Sequence, residues 1–269
     1  MASLEMLGFP ATPDCPPSLA VSERLTMPDN TTAVTAPDRR ANPHGFLRRC
    51  LRAFIHFFSY HLILNRQSAQ ATQVGGFKLN VRPTVFHPRF FLSSGRFVSF
   101  LDDLDLRDKV VIDVGTGSGV IALAAARAGS TTVIAADINP NAAICAAENA
   151  RANGLGDRVH GVASNLLAAF APRPMFDVIL SSPPKHAGEP RDLADRGWHA
   201  GPAYRDVANL FDQARERLKP GGKVYVMVSS DSDLGLFGTR IEQAGFQART
   251  AKEYSIFIES FILYELTVR

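Results

Sequence analysis

The sequence has little of what marks a secreted or membrane protein. Its 269 residues include three cysteines, Cys15, Cys50 and Cys145, far apart and with no C-x-x-C pair. Neither a disulfide framework nor a cysteine metal cluster is expected; free thiols in a reducing compartment are. The longest mostly apolar stretch, Ala53 to Leu64, is broken by His56 and His61, and is too short to span a bilayer. The start, M-A-S-L-E-M-L, lacks a basic segment followed by an apolar run. Together these predict a cytoplasmic protein with no integral membrane contact. Tryptophan occurs once, as Trp198. Acid is missing from one region: between Arg39 and Leu101 there is no Asp or Glu against ten Lys and Arg, although the whole chain carries only +3. That region is either a solvated basic face or an attraction for an anionic partner such as RNA, an acidic metabolite or a membrane surface.

What the chain has is apolar periodicity in an alternating order. With 46% hydrophobic residues it can bury the core of one α/β domain of about 200 residues, with an appendage to spare. Residues 1–43 hold seven of the seventeen prolines, which predicts a disordered or loosely ordered arm. From Phe46 to Arg66 apolar residues recur at three- and four-residue steps, with arginines between them. This is the pattern of an amphipathic helix, expected to dock on the core. Phe77, Leu79 and Val81 alternate beside Gly75-Gly76 and predict a hairpin or short strands. A helix is expected to begin near Ser93 or Ser94.

Strands and helices then alternate. The predicted order is strand Val110–Val114, helix to Ala128, strand Thr132–Ala136, helix Ala142–Asn153, strand Val159–Ala163 and strand Phe176–Leu180. A long loop, Ser181 to Gly201, precedes helix Asp206–Leu218. Strand Lys223–Val228, helix Leu234–Ala244 and strands near Ala248–Tyr254 and Glu259–Thr267 complete the chain. Such alternation demands a mainly parallel, doubly wound sheet.

The stretch V-V-I-D-V-G-T-G-S-G-V-I-A-L-A-A-A-R, Val110 to Arg127, organises the rest. A β-branched run reads as a strand buried on both faces. Gly115, Gly117 and Gly119 allow a sharp turn and close approach of a ligand. The Ala-rich helix that follows points its N-terminal N–H groups and positive dipole end at that turn, so a nucleotide-type cofactor is expected there. Asp137, ending the next strand, is placed to accept both hydroxyls of a ribose. The G-x-G-x-G spacing, rather than G-x-G-x-x-G, and the tetrapeptide Ser182-Pro183-Pro184-Lys185 argue against a dehydrogenase. No metal-ligand constellation and no internal repeat is visible.

The motifs D-V-G-T-G-S-G, A-D-I-N-P-N-A, A-E-N-A-R-A-N-G-L, F-D-V-I-L-S-S-P-P and L-K-P-G-G-K together resemble class I S-adenosyl-L-methionine (SAM) dependent methyltransferases. The resemblance is to the HemK-type and "methyltransferase small domain" branch, whose V-F-x-P-R lead-in is similar to V-F-H-P-R-F-F here. It covers about Thr84 to the C-terminus. It implies a Rossmann-like fold, a mostly parallel seven-stranded sheet with an antiparallel C-terminal strand, and an N-terminal helical cap. The domains implied are an arm (1–43), a helical and hairpin cap (44–100) and a SAM-binding catalytic domain (101–269). It further implies that Asp113, Gly115, Thr116, Gly117 and Gly119 hold the methionyl side of SAM. Asp137 would take the ribose, Ile138 would flank the adenine and Asn165 would meet its amino group. Ser182 would lie at both the cofactor and the reacting group.

At the fourth-strand tip the family pattern is Asn/Asp-Pro-Pro-Tyr/Phe, whose polar residue and first proline carbonyl grip an NH₂ group and whose aromatic residue stacks on it. Here Ser182 and Lys185 stand at the variable positions. A Ser cannot reproduce the grip of an amide. Lys has no π-face, and at ~5 Å from a sulfonium with an effective ε of about 20 its charge costs roughly 3 kcal/mol unless neutralised. Ser182, Pro183, Lys185 and His186 are the expected catalytic residues; His87, Pro184, Trp198, His199 and Tyr204 are the expected substrate pocket. The altered tip points to an N or O acceptor on a small, acidic metabolite. The alternatives are N-methylation of RNA or of a protein amide, and a SAM-binding module without activity.

Overall fold

The structure, a computed structural model, describes residues 68–88, 92–193, 195–255 and 259–269. The expected arm, the amphipathic helix Phe46–Arg66, Cys15 and Cys50 lie outside the described residues. The described chain opens with a hairpin, β1 (Gln70–Val74) and β2 (Phe77–Val81), turning at Gly75-Gly76. Helix α1 (Leu92–Asp102) leads to β3 (Val110–Val114), α2 (Val120–Arg127), β4 (Thr132–Asp137), α3 (Pro140–Ala152), β5 (Val159–Ala163) and β6 (Phe176–Ser181). After the long loop come α4 (Arg205–Arg217), β7 (Leu218–Ser229), α5 (Leu234–Gln243), β8 (Phe246–Ser255) and β9 (Ser260–Val268). Seven strands form one sheet in the order β5-β4-β3-β6-β7-β9-β8. β5, β4, β3, β6 and β7 are parallel neighbours, while β9 runs antiparallel to both β7 and β8.

Both faces of the sheet are covered, and the central strand shows why its sequence is apolar at every step. Successive side chains of a strand point to opposite faces: Val111 joins a core with α1 and α2, and Ile112 joins one with α4 and α5. On the first face α2 contributes Ala122, Ala124, Ala125 and Ala126, all fully buried, so the helix lies close against the strands. Phe77, Leu79, Phe97, Val98 and Leu101 share that core. The described part of segment 44–100 is therefore packed with the sheet it precedes.

Helix α3 begins where Asn139 caps it, its Oδ1 accepting from the Asn141 N–H at 3.0 Å, with Pro140 in the first turn. Its asparagines reach outward to the hairpin: Asn149 Oδ1 accepts from Asn80 N at 2.8 Å, and Asn153 Nδ2 donates to Lys78 O at 2.7 Å. The asparagines of E-N-A-R-A-N-G thus serve docking. One boundary differs from expectation by more than two residues. β7 starts at Leu218 rather than Lys223, because Leu218 pairs with Phe176 and the Pro220-Gly221-Gly222 stretch is taken up as an irregularity in the β6–β7 ladder. No helix among the described residues is long and apolar enough to cross a membrane.

Candidate active site

The carboxyl ends of β3, β4, β5 and β6 open into one cleft of about 1310 Å³, its solvent-open mouth included, as expected where the strand order of an open α/β sheet reverses. One half is built from the turn after β3. Gly117 has φ +53, and a Cβ built on it, as on Gly115, meets nothing within 4 Å. A side chain there would project into the cleft, so the glycines keep the space for a ligand. Gly119 differs: a Cβ on it would lie 2.7 Å from Ala146 Cα, so this glycine lets α2 approach α3. It does not line the cleft.

Asp137 closes this half. Its Oδ2 accepts from Gly117 N and its Oδ1 from Asn139 N, each at 2.9 Å. Burial pushes its carboxyl above the usual range, against these amide hydrogen bonds. Asp113 sits behind the turn, 1% exposed. Its Oδ2 accepts from Thr116 Oγ1 at 2.6 Å, while Oδ1 is buried with no hydrogen bond of normal geometry. Burial pushes Asp113 up to about 7, with the charge of Asp137 adding to it. Asp113 supports the turn through Thr116 and does not itself line the cleft.

Gly115, Thr116, Gly117, Asp137, Ile138, Asn165 and Ser182 all line the cleft. A cofactor with ribose hydroxyls and a cationic head fits it: Asp137 offers unused lone pairs at the rim, and the two acidic groups have no Lys or Arg paired with them among the described residues. The donor set is one of oxygens and amides, and no cluster able to hold a metal occurs among the described residues.

The second half of the cleft is lined by Phe86, Pro88, Ser182, Pro183, Pro184, Leu193, Arg196, His199 and Asp206, among others. Asn139 shapes it, donating from Nδ2 to Thr84 O at 2.9 Å and so tying the lead-in to the end of β4. Of the expected pocket residues, Pro184 and His199 line the cleft; His87, Trp198 and Tyr204 do not. His87 is buried, while its neighbours Phe86 and Pro88 line the cleft. Trp198 is 5% exposed, edge-on to Phe86 at 5.6 Å and stacked on His186 at 6.3 Å; it is the packing centre of the loop. Tyr204 is buried at φ +56, its hydroxyl donating to Lys185 O at 2.8 Å and accepting from Asp233 N at 3.1 Å. It braces the loop against α5.

Lys185 and His186 likewise lie off the cleft wall. The Lys185 Nζ is 3.3 Å from Glu259 and 3.8 Å from Asp231, two carboxylates at the ends of β9 and β7. Its charge is neutralised within the protein. Sequence reasoning missed Leu193, Arg196, Asp206 and Asp195. The D-R-G-W-H run, with Asp195 and His199 one helical turn apart, was the available signal for the last.

Residues 78–243 match the family described as methyltransferase small domain. A putative protein N5-glutamine methyltransferase of Methanocaldococcus jannaschii is 25% identical over 196 residues, covering 71% of this chain and 95% of that protein. The ribosomal protein L11 methyltransferase of Pasteurella multocida is 45% identical over 125 residues, covering 46% of this chain and 35% of the relative. The chain thus spans about a third of that longer relative. A solved T. thermophilus 16S rRNA methyltransferase in complex with AdoMet and guanosine shares the fold, with a TM-score of 0.53 at 20% identity, over 75% of this chain and 50% of that one.

Proposed function

The chain belongs to the methyltransferase small domain family of SAM-dependent methyltransferases, and from that premise we propose that it methylates a nitrogen of a protein. The cofactor, when bound, supplies an electrophilic methyl group on a sulfonium. The chain's part is placement: Gly115 to Gly117 and Asp137 hold the cofactor, and Ser182, Pro183 and Pro184 hold the acceptor nitrogen in line. Displacement at a methyl group needs little covalent help, so correct placement supplies much of the rate.

The expectation of a small acidic metabolite rested on the altered tip, with Ser182 and Lys185 in place of the amide and the aromatic residue. The pairing of Lys185 with Glu259 and Asp231 leaves its charge in no need of an acidic substrate. The curated relatives are named for protein substrates, and the acceptor side of the cleft has an apolar rim, with Phe86, Pro88 and a Leu193 that is 48% exposed. Such a rim suits a side chain presented by a larger molecule. Cys145, buried with a free thiol, is in keeping with a reducing compartment such as the cytoplasm.

The test is incubation of the full chain with methyl-labelled SAM and a ribosomal fraction, followed by protease or ribonuclease digestion. Label released by protease alone is expected. Label released by ribonuclease overturns the protein assignment in favour of RNA, and label found only in the small-molecule extract overturns both.

A further inference from the structure

We propose that His199, backed by Asp195, takes a proton from the acceptor nitrogen, and that the acceptor is an amine arriving protonated rather than an amide. The inference rests on the methyl-transfer reading above and deepens it.

His199 lines the cleft on the acceptor side, as Ser182, Pro183 and Pro184 do. Backbone hydrogen bonds hold it from two directions. Its own N–H donates to Asp195 O at 3.1 Å, closing one turn of helix. The flanking residues bridge to the segment just after the Pro-Pro tip: His186 N donates to Trp198 O at 3.1 Å and Ala200 N to His186 O at 2.9 Å. The ring's place relative to the end of β6 is therefore set by main chain.

Behind the ring, His199 Nδ1 lies 3.2 Å from Asp195 Oδ1, a close contact rather than an aligned hydrogen bond. Such pairs tighten when a substrate is bound. Asp195 is fully buried, and the loop maintains its charge. Arg191 donates to Oδ2 from its main-chain N at 3.0 Å and from Nε at 3.1 Å, and Asp192 Oδ1 accepts from Asp195 N at 2.8 Å. Burial pushes the Asp195 carboxyl up, but Arg191 and His199 outweigh it and hold it below the usual range. A buried carboxylate beside Nδ1 favours the tautomer with its proton there, which makes Nε2 the basic nitrogen.

Other charged or titratable groups lie around the pair among the described residues. The His186 ring is 5.7 Å from that of His199, and Arg196 is 3.6 Å from Asp206. Arg205 reaches Glu189 and Asp206, and Lys185 reaches Glu259 and lies against Trp198. Asp195 is the acidic side chain in ion-pair contact with His199 among the described residues.

Nε2 accepts one proton from R–NH₃⁺, leaving R–NH₂ and an imidazolium. The freed lone pair forms the new N–C bond as the C–S bond breaks, its electron pair staying on sulfur. The imidazolium then loses its proton to water. An amide nitrogen carries no ammonium proton, and its N–H is too weak an acid for an imidazole to deprotonate before transfer, so this step suits an amine. His199 is the catalytic residue in this reading and Asp195 a positioning residue.

Two measurements on the full chain test this. Side-chain ¹⁵N NMR without ligand should show His199 as the Nδ1–H tautomer, changing to a mixture in Asp195→Asn while the other six of the seven histidines are unmoved. An Nε2–H tautomer in the unmodified protein overturns the proposal, whatever the activity. With the ribosomal protein fraction as acceptor, His199→Gln should lower turnover about 100- to 1,000-fold near neutral pH with SAM affinity unchanged. The deficit should shrink toward about pH 10, where an ammonium group loses its proton to solvent. A deficit equal at every pH, or label recovered as methylglutamine, overturns it. If the unmodified chain labels nothing, the methyl-transfer reading falls and the tautomer alone decides the pair.

Discussion

Two sets of buried carboxylates sit in the same sheet and are treated in opposite ways. At the antiparallel edge, Glu265 on β9 accepts from Tyr225 at 2.9 Å, from Lys223 at 3.2 Å and from both Nε and Nη2 of Arg249 at 2.8 and 2.9 Å. Burial raises its pKa, but these donors outweigh burial and the carboxyl is held below the usual range. At the cleft, Asp113 and Asp137 have amide and hydroxyl donors only, and burial wins in both. A carboxylate that welds strands together is given cations. One that awaits a ligand keeps its charge uncompensated, at the cost of desolvation.

The largest expected effect is on the unpaired side. Asp137→Ala removes two hydroxyl contacts of about 1.5–3 kcal/mol each, so calorimetric titration should show SAM and S-adenosylhomocysteine binding weakened at least about 100-fold. Retained affinity would break the contrast. On the paired side, Glu265→Leu leaves two cationic side chains and a tyrosine hydroxyl without their acceptor. Since Lys223 and Arg249 are partly exposed, the loss should be about 2–3 kcal/mol, seen as a lower denaturant midpoint while the folded protein binds SAM as before.

A smaller effect separates two glycines of one turn. Gly119→Ala forces a Cβ against Ala146 and should cost about 2 kcal/mol of stability. Gly117→Ala meets open space and should cost only about 1 kcal/mol for its positive φ, its main effect falling on cofactor affinity. Thermal melts paired with titrations distinguish the two.

The smallest effect is pH dependence, and its sign differs between the two carboxylate sets. Asp113, raised to about 7, leaves the folded state holding a proton that the unfolded chain has lost above about pH 4. Its contribution to stability is present below that value and is lost as pH rises to about 7. A bound cation favours the ionised form, so SAM affinity should rise a few-fold over the same range, with proton release. Calorimetry in two buffers of different ionisation enthalpy measures that release. Glu265, depressed, behaves oppositely: its stabilisation is present above about pH 4.3 and disappears as pH falls through its folded value. A titration of melting temperature from neutral to acid on the Glu265→Leu variant should lack that loss.

How much was legible in advance follows from the range of the interactions. The run Val110–Val114, the glycine turn and Asp137 announce themselves because strand, turn and helix are local and the cofactor half is contiguous in sequence. The hairpin at Gly75-Gly76 was legible for the same reason. The two terminal strands were also visible, but not that β9 inserts between β7 and β8. The loop from Ser181 to Gly201 was read as pocket because it holds Trp198, His199 and other polar residues, yet composition does not say which way a side chain faces. Trp198 and Tyr204 turn inward to brace the loop; Leu193, Arg196 and His199 turn to the cleft. Lys185 looked anomalous because its partner Glu259 is 74 residues away.

By itself, then, the sequence determined the order of elements, the parallel sheet and the cofactor turn, since periodicity, β-branching and glycine act within a few residues. Only the tertiary structure decided the acceptor half: which carboxylates received cations, that Asp195 stands behind His199, and that Lys185 is spent within the protein. Those outcomes depend on loops from separate strands converging at one end of the sheet, and burial and charge pairing there are properties of the folded chain, not of any stretch of it.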